Sequence, residues 1–170
     1  MNFSARSPNI FEMNLGLEFE NRALYTIVFI GSFFLVIIAL GPGLFGNPSI
    51  PYVSFQFEAF HFLCHQDPLR SFTLNNSQMA VCARCIGIYS AFFTGVILMP
   101  FLGLIKKVKF RYYFRFLIGT IILNFIDVLG NQFEFWTNTN GSRFLLGSLF
   151  GLSSAILLSN EFFKKLNTED

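Results

Sequence analysis

The sequence predicts an all-α, polytopic membrane protein with four transmembrane helices and both termini cytoplasmic. Three observations carry this. Four apolar runs each approach the ~20 residues that cover the hydrocarbon core of a bilayer. Charged residues make up only 13% of the chain against 53% hydrophobic, with 25 phenylalanines and a mean hydropathy of +0.53, where a soluble domain carries about 25% charge. Basic residues gather in one short loop, which orients the spans. The 170 residues make one integral membrane domain with no length left for a separate catalytic module.

The N-terminal segment, residues 1–22, carries Glu12, Glu18 and Glu20 and lacks the basic start and short apolar core of a signal peptide. It reads as a cytoplasmic segment. The first span runs from Ala23 to Leu40 and is closed by the breaker Gly-Pro-Gly at 41–43. A long segment, 42–81, follows. The second span begins near Cys85 and reaches Ile105, with Pro100 late in it. The third covers Tyr112 to Leu129 and the fourth Phe144 to Phe162, before a polar tail at 164–170. Backbone groups in lipid must be satisfied within the segment, so each run is expected to be helical. Long continuous runs do not fit the alternating strands of a β-barrel.

The connection between spans two and three holds Lys106, Lys107, Lys109, Arg111 and Arg115. The positive-inside rule makes it cytoplasmic, and Arg22, Lys164 and Lys165 agree. Segment 42–81 and loop 130–142 then face outward. Small residues recur every fourth position on span two (Gly87, Ala91, Gly95) and span four (Gly147, Gly151, Ala155). The simplest reading is two packing seams without chemistry.

The outward segment and the start of span two hold every histidine and cysteine of the chain, His61, Cys64, His65, Cys82 and Cys85. If the chain is helical up to Pro68, then His61, Cys64 and His65 share one helix face at i, i+3 and i+4. Cys82 and Cys85 are three apart at a helix start. Thiolate and imidazole suit a soft or borderline ion, so Cys64, His65, Cys82 and Cys85 form a candidate Cys₃His set for zinc or copper, with His61 a fifth candidate. The same thiols could instead do redox work, because a C-x-x-C at a helix N-terminus favours thiolate. A second cysteine pair, which quinone-linked thiol oxidoreductases use to pass electrons on, is lacking. A purely structural role is the third reading. Asp127, an acid within an apolar run, is expected to face a partner, a cavity or water. Arg143 is the expected partner, and a pathway lined by Asp127 and Arg143 would suit a small transporter or channel subunit. No phosphate-binding loop, nucleophile elbow or dinucleotide fingerprint occurs. A net charge of +2 without a dense basic patch argues against nucleic acid.

The runs "CHQDPLRSF", "VCARCIGIY", "DVLGNQ" and "NTNGSRFLLGSLFG" resemble the signature of a family of predicted membrane proteins, domain of unknown function 2085. The resemblance covers residues from about 60 to 151. It implies that Cys64, His65, Arg70, Cys82, Arg84, Cys85, Asp127 and Arg143 belong to one module, and it supplies no activity. His61 lies outside the pattern. The expectation is a protein of a bacterial cytoplasmic membrane with an outer-face Cys/His metal site, Arg70, Arg84, Asp127 and Arg143 lining the adjoining cavity, the lipid bilayer as partner and protein partners unspecified.

Overall fold

The computed structural model describes residues 17–19, 21–45, 52–102 and 110–165. The first sixteen residues, the lysines at 106, 107 and 109 and the tail beyond 165 lie outside the described residues. Four long helices form the body: α1 (Arg22–Leu40), α3 (Ala83–Leu102), α4 (Phe110–Gln132) and α5 (Asn140–Phe162). All four are long and apolar enough to cross a membrane. A shorter helix, α2 (Tyr52–Phe60), lies in the connection between α1 and α3. Each span predicted from the sequence is present, with α4 and α5 extending two to four residues beyond the expected limits, while the expected end of the second span at Ile105 lies outside the described residues.

Local chemistry sets the helix limits. Asn21 caps α1, its Oδ1 accepting from the Leu24 N–H at 3.1 Å. Gly41 ends it at φ +75°, and a Cβ there would lie 2.7 Å from the Ala80 nitrogen, so only glycine lets the chain turn beneath residues 78–80. Pro100 falls late in α3, which is described as far as Leu102.

Packing follows the small-residue stripes. The principal helix contact is between α3 and α5; α1 packs on α3, and α4 packs on α5. A Cβ added at Gly87 would collide with the Phe144 carbonyl, at Gly147 with that of Arg84, and at Gly151 with that of Ile88. The two seams therefore face each other with backbone against backbone. One core cluster, Val96, Met99, Ala155 and Phe162, sits toward the end where α5 finishes. A second, containing Phe60, Cys64, Ala80, Val81 and Ile86, closes the opposite end. Apolar side chains on the remaining faces, among them Ile27, Phe34, Ile122 and Phe125, are exposed, as a lipid-covered surface requires.

Two short ribbons complete the fold. β1 (Leu17–Phe19) pairs antiparallel with β4 (Phe163–Lys165), Glu18 opposite Lys164, so the described chain ends meet at one end of the bundle. β2 (Thr73–Leu74) pairs with β3 (Ser77–Gln78). Their turn residues, Asn75 and Asn76, have φ of 48° and 61°, the double left-handed turn whose twist matches a hairpin. The Asn75 side chain donates to the Gly43 carbonyl at 2.8 Å, fixing the hairpin over the end of α1.

The expected helix through Pro68 is corrected. α2 ends at Phe60, and the chain passes through a turn before an irregular stretch at 64–67. Gln66 has φ 51°, which no right-handed helix accommodates.

Candidate metal centre

Two unrelated pieces of local structure bring three sulfurs together. Cys82 immediately precedes α3, its carbonyl accepting from the Ile86 N–H at 3.1 Å. Cys85 lies in the first turn, and the two Sγ atoms are 3.5 Å apart. Cys64 arrives from the turn after α2. It is buried, and its Sγ accepts the Cys82 N–H at 3.1 Å. The three sulfurs all lie within 4.8 Å of one another, and none is in a disulfide. A zinc ion bonded at about 2.3 Å in tetrahedral geometry needs its sulfurs roughly 3.8 Å apart, so this spacing fits with little adjustment. The Cys82 thiol is held far below its ordinary pKa, first by hydrogen bonding with Cys64 and then with Cys85, so Cys82 is the sulfur favoured as thiolate.

Gln66 makes the arrival of Cys64 possible. Its Nε2 donates to the Phe57 carbonyl at 2.6 Å and the Ala80 carbonyl at 3.0 Å, while its own carbonyl accepts from Gln78 Nε2 at 2.7 Å. One side chain thus ties the end of α2 to the strand leading into Cys82. Gln66→Ala leaves two carbonyls without this donor, at about 1–3 kcal/mol. We expect a lower melting temperature and faster alkylation of Cys64 by a water-soluble maleimide; unchanged labelling would show that Gln66 does not position it.

The sulfurs form part of the wall of a cavity of about 280 Å³. Arg70, Arg84, Arg143, Asp67, Asn131 and Asn138 supply most of its polar lining. Arg70 Nε pairs with Asp67 at 3.1 Å. The expected pairing of Asp127 with Arg143 is corrected: Asp127 Oδ2 accepts from Arg84 and, at 2.7 Å, from Asn138. Arg84 projects from α3 toward α4, whereas Arg143, a turn into α5, donates to Asn140 Oδ1 at 3.4 Å. The aspartate therefore joins α3 to α4 rather than α4 to α5.

Of the residues singled out from sequence, Cys64, His65, Arg70, Cys82, Arg84, Cys85 and Arg143 all line the cavity, and Asp127 braces it from behind. His65 is exposed on the wall and stands outside the three-sulfur group, as does His61. Asn138 went unnoticed in the sequence. Its signal was the polar run Thr-Asn-Thr-Asn ahead of α5, which looks like an ordinary loop until Asp127 is seen beneath it.

The profile of a family of predicted membrane proteins, DUF2085, matches residues 64–157, more than half of the chain. An uncharacterized protein of Methanocaldococcus jannaschii is 30% identical over 112 residues, covering 65% of this chain and 70% of that protein. An uncharacterized protein of Methanothermobacter thermautotrophicus is 32% identical over 98 residues, 58% of this chain and 86% of the relative. Both organisms are archaea, so these similarities lend no support to a bacterial source. No solved structure matches. The matched region begins at Cys64 and takes in the cysteines, the arginines and Asp127.

Proposed function

We propose, from the premise that this chain belongs to the DUF2085 family of predicted membrane proteins, that it holds one zinc or copper ion on the thiolates of Cys64, Cys82 and Cys85. The convergence of three sulfurs from two separate segments carries this reading. Three thiolates satisfy a trigonal copper(I) ion, or leave zinc one position open to the cavity. His65 is not needed to complete either set. An open position suits an ion that binds or exchanges a ligand better than one that only braces the fold. The positive-inside rule, applied to the basic residues between 106 and 115, supports a site at the outer face of the membrane with both termini inside.

Elemental analysis of protein purified in mild detergent without chelator tests the proposal. About one equivalent of zinc or copper is expected, and it should be lost in Cys82→Ser/Cys85→Ser. Metal at background levels, with all three thiols reduced, would exclude the site.

A second reading rests on the lowered pKa of Cys82 and its contact with the Cys85 sulfur. These thiols could oxidise to a disulfide, passing two electrons and two protons to a quinone that leaves as quinol. Thiol counting before and after reduction separates the two, because a resting Cys82–Cys85 disulfide removes both thiolate ligands.

A further inference from the structure

The three arginines of the cavity outnumber the carboxylates that answer them. Asp67 serves Arg70 and Asp127 serves Arg84. Arg143 has no ion-pair partner among the described residues, and its hydrogen bond to Asn140 is long. Arg70 and Arg84 lie near enough for their like charges to bear on it. Arg84 also keeps a buried Nε with no hydrogen-bond partner among the described residues. Three guanidinium groups on one small cavity repel one another unless an acceptor sits between them, and planar guanidinium forks match the oxygens of phosphate or carboxylate.

The rim of the same cavity is apolar. Leu63 and Val128 line it, and both are exposed, at 72% and 44%. Val128 heads a stripe on α4, with Phe125 and Ile121 below it at helical spacing and also exposed. The stripe runs from the cavity wall along the surface that lipid would cover. A free anion has no use for such a track, whereas an amphiphile would place its charge among the arginines and its chain along α4.

We infer that the cavity receives the anionic headgroup, a phosphate or carboxylate, of a membrane amphiphile, with Arg143 as its principal contact. This goes beyond the metal reading and does not depend on it, since arginines rather than sulfurs hold the anion.

The single tryptophan, Trp136, stands in the loop that carries Asn138 and packs over Gly130, so its fluorescence can report binding. Protein in non-ionic detergent would be titrated with dioctanoyl phosphatidate, inorganic phosphate and dioctanoyl phosphatidylcholine. Phosphatidate is expected to bind at least tenfold more tightly than either of the others. Arg143→Gln should weaken it at least tenfold, and Arg143→Lys less, with the size-exclusion profile unchanged. Equal affinity for inorganic phosphate would overturn the amphiphile, and full affinity in Arg143→Gln would overturn the arginine. Phosphatidate binding should persist in Cys82→Ser/Cys85→Ser, which tests the anion site with the metal reading set aside. Loss of binding only in that variant would assign the anion to the metal and overturn the proposal.

Discussion

Replacing Asp127 with leucine is expected to destabilise the protein by about 3 kcal/mol. Removing one partner of a buried ion pair leaves the other charge desolvated and unanswered, which typically costs about 3–5 kcal/mol. The lower end applies because the Arg84 side chain keeps 21% of its surface accessible and the Asp127 side chain 13%. Asn138 also loses its acceptor. Thermal unfolding in detergent should show a fall of roughly 10 °C in apparent melting temperature. The double variant Arg84→Leu/Asp127→Leu should recover most of that loss, since no unpaired charge remains. If Arg143→Leu rescued Asp127→Leu where Arg84→Leu did not, the aspartate would belong to α5 after all.

Opposite effects are expected from one substitution at two glycines. Gly147→Ala places a methyl group against the Arg84 carbonyl, closer than 3.0 Å. The neighbour is helix backbone and cannot swing away, so α3 and α5 must separate. Overpacking of this kind costs about 1–3 kcal/mol, and here it acts on the principal contact of the bundle. Gly119→Ala, on α4, meets nothing within 4 Å. It should stabilise by up to about 1 kcal/mol through helix propensity alone. Fluorescence-detected size exclusion after heating distinguishes the two. A neutral or stabilising Gly147→Ala would mean that the stripes do not pack face to face.

The spans, their breakers and the two small-residue seams were legible because each depends on a local pattern. Twenty apolar residues can satisfy their backbone in lipid in one way only, and glycine every fourth residue must lie along one face of a helix. The Cys82–Cys85 pair was legible for the same reason, since a spacing of three at a helix start leaves few arrangements. Cys64 belonged with it by composition, as a soft ligand in an apolar chain.

The sequence by itself thus determined the class, the four helices and the end of the bundle at which the polar and sulfur groups collect. Tertiary structure decided which of those groups meet. Arg84 and Arg143 stand at a similar level, and the rotation of α3 about its axis, set by its glycine seam on α5, gives Asp127 to Arg84. His65 follows Cys64 directly, yet the left-handed backbone at Gln66 and its hydrogen bonds to Phe57 and Ala80 turn the sulfur inward and leave the imidazole exposed. Pairings of this kind arise between residues tens of positions apart, where no periodicity constrains the partner and only packing selects it.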